Sequence, residues 1–201
     1  MNASTVKQEV KNITDELISI RRYLHQNPEL SFQEIKTSKY ISELLNKWGI
    51  EHTSNVGGYG IIGILKGKNP DSKVIALRAD MDALPIIEEN NVKYCSVNDG
   101  VMHACGHDVH MTCLLGTIKL LSENRDWFNG SIKFIFQPAE ETLPGGALKM
   151  IEDGVLENPK PDLIIGQHVF PELESGKVGV RSGPYMASTD ELNLTISGRG
   201  G

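Results

Sequence analysis

Apolar residues recur at three- and four-residue steps through the first part of the chain. Val6, Val10, Ile13, Leu17, Ile20 and Leu24 share one helical face, and Asn27-Pro28 stops the helix. Ser31-Phe32-Gln33-Glu34 has the form of a capping box. It predicts a second helix with Ile35, Ile41, Leu44, Leu45 and Trp48 as its apolar face and Gly49 just past its end. The spacing then changes. Two short apolar runs, residues 61–65 and 74–77, flank a polar turn, which predicts a hairpin-like pair of strands. Residues 111–121 read as a buried helix, 131–136 as a strand, Gly146–Glu152 as a short helix and Leu163–Gly166 as a buried strand. Strands alternating with helices predict an α/β domain with a largely buried sheet. After Gly183-Pro184, Leu192, Leu194 and Ile196 alternate with polar residues, as in a strand with one wet face. A strand does not stand alone. A second, incomplete domain is therefore expected from about Tyr185, giving segments 1–184 and 185–201.

Composition narrows the class. The 201 residues suit one domain plus a remainder, and 23% charged residues of both signs argue against a disordered chain. A chain of this size needs no staple to fold. The net charge is −6 with Lys and Arg scattered, so no nucleic-acid partner is expected. The longest apolar run, 61–65, is far below the ~20 residues that span a bilayer, so no membrane partner is expected. The N-terminus lacks a basic region followed by an apolar one. Three cysteines without scaffold spacing suit a reducing compartment, and the expected location is the cytoplasm.

Metal-competent residues gather at the ends of the expected strands. Asp80 and Asp82 follow the run at 74–77. His103, Cys105, His107, Asp108 and His110 precede the buried helix. Glu140 and Glu141 follow the strand at 131–136, and His168 follows Leu163–Gly166. Sites in open α/β sheets form beyond the carboxyl ends of strands. Each residue alone has a plainer reading. Cys95 and Cys113 suit small buried hydrophobes, His25 suits a helix end, and His110 suits packing beside a site. Cys105 and His107 are more informative, because thiolate and imidazole suit zinc-like metals and Gly106 lets the backbone turn between them. The zincin motif fails at Ala104, the deaminase signature has no Pro-Cys-x-x-Cys, and the glycine-rich stretches lack the Lys-Ser/Thr of a P-loop.

Together, Arg78-Ala79-Asp80-Met81-Asp82-Ala83-Leu84-Pro85, Val101 to Asp108, Phe136-Gln137-Pro138-Ala139-Glu140-Glu141 and Gln167-His168-Val169 resemble the M20 metallopeptidase family. The branch they resemble is the amidohydrolases of N-acyl amino acids, which include aminoacylases, hippurate hydrolases and N-acetyldiaminopimelate deacetylases. Leu24 to Ser31 and Gly183 to Asp190 fit the same pattern.

The resemblance implies a three-layer α/β sandwich catalytic domain, truncated at the start of an inserted α+β lid and dimerisation domain. It implies two divalent metal ions (zinc, manganese, cobalt or nickel) with Cys105, His107, Glu141 and His168 as ligands. Glu140 is implied as the general base for a metal-activated water. Asp80, Asp82, His103 and Asp108 would stand behind the ligands. A small N-acyl amino acid would be the substrate, and the full-length form would be able to pair as a homodimer. The family chain is about twice as long, and a lid His and a late metal-binding His have no counterpart here. A naturally short, inactive metal-binding or interaction protein therefore stands as an alternative. A mononuclear zinc or thiol-redox protein is a third reading, one that leaves the Glu140-Glu141 pair unexplained.

Overall fold

The computed structural model of the chain describes residues 2–186, 192 and 194–199. Its contacts divide into two units, Met1–Val169 and Phe170–Gly201.

In the first unit five strands form one mixed sheet. They are β1 (His52–Val56), β2 (Gly60–Lys66), β3 (Val74–Asp80), β4 (Ser131–Gln137) and β5 (Leu163–Gly166), in the order β1-β2-β4-β3-β5. β2 runs antiparallel to β1 and β4, while β3 runs parallel to β4 and β5. The expected hairpin of 61–65 with 74–77 does not form, because β4 lies between those two runs. β4 is buried at every position, and the centre of the sheet is where such a strand is covered on both faces. The tight hairpin is instead β1 with β2, turned through Gly57 and Gly58. That glycine-rich stretch marks a turn.

Alternation along the strands splits the core in two. Ile61, Leu65, Phe134 and Phe136 face α1 (Ala3–Gln26), α2 (Ile35–Lys47) and α3 (His107–Glu123). Ala76 and Ile135 face the other way, with Met150 of α4 (Gly146–Glu152) and Val155. The result is three layers, helices–sheet–helix. Lys133, also on β4, is 1% exposed, and its ammonium donates to the carbonyls of Val155, Glu157 and Pro159. Three carbonyl acceptors offset the cost of burying it.

The capping box does not form. No side chain of 31–34 caps α2. The carboxylate of Glu29 does so instead, accepting from the Lys36 and Thr37 backbone N–H groups at 3.1 and 2.8 Å. Ile35 lies outside the apolar face and is 57% exposed, since the inward stripe runs through Thr37, Ser38, Ile41, Leu44 and Leu45. The end of α2 follows expectation. Gly49 has φ +68, its N–H reaches Asn46 O, and Ile50 N–H reaches Leu45 O, the paired bonds of a Schellman motif.

β5 is a strand but not a buried one. Leu163, Ile164 and Ile165 are about half exposed, because β5 lies at the edge of the sheet and pairs only with β3. In the second unit, hydrogen-bonded turns at 170–173 and 174–177 are the regular features among the described residues. Leu192, Leu194 and Ile196 are exposed and extend into no strand, since no described strand pairs with them. The motif expected from Gly183 to Asp190 falls partly outside the described residues. Among the described residues no helix is long and apolar enough to cross a membrane.

Candidate metal centre

The parallel strands β3, β4 and β5 all end on one side of the sheet, and α3 begins there. Asp80 closes β3, Glu140 and Glu141 follow β4, and His168 follows β5. The start of α3 brings in His107. Just before it, Gly106 has φ +85, and a Cβ there would collide with the Val169 side chain. The left-handed turn is open to glycine at no steric cost, and it lets Cys105 and His107 converge.

Among the described residues, donor atoms form three overlapping groups that share His107. They are Cys105–His107–His168, Asp80–His107–His110 and His107–Glu140–Glu141, each with its atoms within 4.8 Å of one another. The ring of His107 is oriented from behind. Its Nδ1–H donates to the Asp82 carbonyl at 2.8 Å, which leaves the Nε2 lone pair facing inward. Nε2 lies 3.7 Å from Asp80 Oδ1 and 3.6 Å from Glu141 Oε1. Both His107 Nε2 and Glu141 Oε1 are buried without a hydrogen-bond partner. Such orphaned atoms are costly unless something fills the space between them.

His168 is set up in the same way. Its Nδ1–H donates to the Val169 carbonyl at 2.7 Å, and Nε2 stands 3.4 Å from Cys105 Sγ. His110 differs. Val169 N–H donates to its Nε2 at 2.9 Å, so Nδ1 carries the proton and donates to Asp80 Oδ1 at 2.7 Å. Both nitrogens are occupied, and His110 has no lone pair to offer.

The electrostatics favour a cation. Burial and the nearby carboxylates of Glu141, Glu140 and Asp80 push the Cys105 thiol up to about 12. A thiol so raised is a weak nucleophile in the metal-free protein. It loses its proton only beside a positive charge such as a metal ion. Partial desolvation and the charge of the adjacent Glu141 push the Glu140 carboxyl up. Burial opposes ionisation of Asp80, but the His110 hydrogen bond and the Arg78 guanidinium outweigh it and hold Asp80 well below the usual carboxylate range.

Asp82 supports two donors at once. Its carbonyl holds His107, and its Oδ2 accepts from Ser31 Oγ at 2.6 Å and Glu141 N–H at 2.9 Å. Asp108 is directed elsewhere. Its carboxylate accepts from His25 Nδ1 at 2.7 Å and from Val109 N–H, and forms an ion pair with the Arg21 guanidinium, whose Nε lies 3.0 Å away. His103 is buried with neither ring nitrogen bonded, and burial pushes it down to about 4. The three cysteines are free. Cys113 is exposed rather than a buried hydrophobe, and the thiol of Cys95 donates to the Asn90 carbonyl. His25 is a buried member of an ion cluster rather than a simple helix-end residue.

Sequence reasoning missed Glu34, whose buried carboxylate accepts from Ala139 N–H at 2.6 Å beside the Glu140-Glu141 pair. A signal existed. Glu34 falls in register with the inward stripe of Thr37, Ser38 and Ile41, a position where an acid needs a reason.

Peptidase family M20/M25/M40 matches residues 76–198. The N-acyl-L-amino acid amidohydrolase of Geobacillus stearothermophilus is 47% identical over 199 residues, covering 97% of this chain and 53% of that protein. The hippurate hydrolase of Campylobacter jejuni is 44% identical, covering 96% of this chain and 48% of its own. A crystal structure from Bacillus subtilis, described as a dinuclear metal binding peptidase of the M20 family, superposes with a TM-score of 0.81. It shares 46% identity and covers 87% of this chain and 48% of that one. The chain spans about half the length of the curated relatives it matches.

Proposed function

The chain belongs to peptidase family M20/M25/M40, and on that premise we propose that the protein hydrolyses the amide bond of N-acyl amino acids with divalent metal ions and a Glu general base. The observation that carries the proposal is the pair of buried, unpartnered atoms His107 Nε2 and Glu141 Oε1, 3.6 Å apart where the donor groups overlap. The names of the similar proteins, an N-acyl-L-amino acid amidohydrolase and a hippurate hydrolase, support the substrate class.

The donor set fits metal. Cys105, His107, Glu141 and His168 would hold two divalent ions of the zinc, manganese, cobalt or nickel kind, and thiolate with imidazole suits the softer of these. When bound, such ions supply a water that ionises near neutral pH and polarise the amide carbonyl. The protein's own groups do the rest. Glu140 accepts the proton of the attacking water and passes it to the leaving amine. Asp82 keeps His107 in the tautomer that presents Nε2, and it holds the Glu141 backbone. Asp80 steadies His110, and through its contact with Val169 N–H His110 steadies the segment that carries His168.

Within this reading residues 1–184 are the amino-terminal part of the catalytic domain, and a lid begins near Tyr185. The three free cysteines suit a reducing compartment such as the cytoplasm. The test is hydrolysis of N-acetyl and N-benzoyl amino acids by the protein purified from its own cells, with its intact mass measured alongside. Activity lost to a chelator and restored by zinc, manganese, cobalt or nickel is the expected result. A product that binds metal but hydrolyses none of these amides would favour an inactive metal-binding relative. A product that binds no metal would overturn both readings.

A further inference from the structure

Glu34 is fully buried and takes no part in the chemistry proposed above. Its Oε1 accepts from the backbone N–H of Ala139 at 2.6 Å, across 105 residues of sequence. Its Oε2 is also buried and has no partner. Burial pushes this carboxyl up, so an acid is held here against its own solvation. An apolar side chain would cost less at such a position if stability were all that mattered.

The recipient of the bond is itself unusual. Ala139 is fully buried and has φ +49, a left-handed conformation that residues with a Cβ rarely adopt. Its N–H goes to Glu34, and its carbonyl accepts from Gly146 N–H at 2.8 Å. Two residues on, Glu141 N–H is taken by Asp82 Oδ2. The segment 139–141 is thus pinned at both ends by buried carboxylates, one from the start of α2 and one from the loop after β3. In a strand that simply continued beyond β4, successive side chains would point to opposite faces. Here the carboxylates of Glu140 and Glu141 both lie within 4.8 Å of His107. The left-handed turn at Ala139 redirects the chain, and the Glu34 bond gives the N–H of that turn its buried acceptor.

We infer that Glu34 is a positioning residue: by holding the left-handed Ala139 it aims the base Glu140 and the ligand Glu141 at His107. The inference rests on the roles given to Glu140 and Glu141 above. Neither Asp82 nor the helix dipole substitutes for it, because Asp82 reaches only the Glu141 end of the segment.

Three variants of the protein as its gene encodes it test this. Glu34→Gln keeps an oxygen that accepts from Ala139 N–H. Glu34→Leu fills the volume without an acceptor, and Glu34→Asp keeps the acid but shortens its reach. Steady-state kinetics on an N-acetyl amino acid, the visible spectrum of the cobalt-loaded protein and the melting temperature are the readouts. The expected result for Leu and Asp is a kcat loss of about 10–100-fold with KM little changed, the range seen when supporting partners of metal ligands are removed. Their cobalt bands should shift, while Gln stays close to wild type in both readouts. If Leu does not fold, Asp and Gln still decide the matter. A wild-type cobalt spectrum and kcat in Leu or Asp, with only the melting temperature lowered, would overturn the positioning role and leave the proposed reaction standing. A wild-type protein that neither takes up cobalt nor hydrolyses the amide would instead overturn the reaction itself.

Discussion

Two buried ionic clusters flank the start of α3, and they are built on opposite plans. In one, His25 lies between Asp108 and Glu88, bonded to them at 2.7 and 3.0 Å, with Arg21 also on Asp108. Both His25 nitrogens and both Asp108 oxygens are used, and Glu88 also accepts from Ser96 N–H. In the other, His107 and Glu141 keep inward-facing atoms that have no hydrogen-bond partner. Asp108 and His107 are sequence neighbours, yet one completes a closed network and the other opens into a site. A closed network of charges is a fastening, tying α1 and the loop at 83–101 to α3. An open one, with excess carboxylate and a thiol pushed up to about 12, is a place for a cation. The difference lies in whether the imidazole and carboxylate atoms have found hydrogen-bond partners inside the protein.

The largest expected effect falls on the open cluster. Glu140→Gln in the full-length product should keep its metal, measured by elemental analysis, and lose about 10²–10⁴-fold in turnover. Loss of the metal instead would show that Glu140 is a ligand and not the base. The closed cluster should respond in the opposite sense. Asp108→Ala strands the buried His25, leaves the partly exposed Arg21 without its carboxylate, and should cost about 3–5 kcal/mol in urea unfolding. Metal stoichiometry should be unaltered in the folded fraction, and a variant as stable as wild type would erase the distinction drawn here. Cys105→Ser sharpens it from the other side. Metal affinity should fall on the order of tenfold or more, while metal-free stability stays within about 0.5 kcal/mol of wild type.

The smallest effect is a pH dependence. The hydrogen bond to Asp108 raises the pKa of His25 despite opposition from burial, with a further bond to Glu88 on the same side. Its protonated form therefore contributes stability that is complete below its unfolded pKa of about 6.5 and fades as pH rises through the folded value. Burial opposes ionisation of Asp108, but His25, His103 and Arg21 outweigh it and lower its pKa. That contribution is complete above about pH 4 and fades as pH falls through the folded pKa. The gap in unfolding free energy between wild type and His25→Gln should therefore be widest below about pH 6.5 and narrow as pH rises above it. A gap independent of pH would mean that His25 is held as a neutral ring.

Much of this architecture is legible along the chain because it follows from short-range periodicity. The helical stripe ending at Leu24, the apolar run that becomes β4 and the Schellman stop at Gly49 depend on residues a few positions apart. Gly106 is legible for the same reason, since a glycine between two metal-competent residues implies a turn. The order of strands is not. The runs at 61–65 and 74–77 look like a hairpin until β4, far along the sequence, comes between them. Apolarity likewise marks Leu163–Gly166 as a strand but does not reveal that it stands at an edge. The segment 31–34 has every local feature of a helix cap, yet Ser31 bonds Asp82 and Glu34 bonds Ala139.

By itself the sequence determined which segments become helices and strands and which residue types are gathered at strand ends, because backbone sterics and hydrophobic spacing act over one or two turns. Only the tertiary structure decided which of those residues are left open and which are closed. His107 and Asp108 differ by one position, and His107 and His110 by one turn, but their free atoms depend on partners such as Asp82, Val169 and His25 brought from elsewhere. A polar atom's state is set by what folding places within about 3 Å of it, and no local pattern encodes that distance.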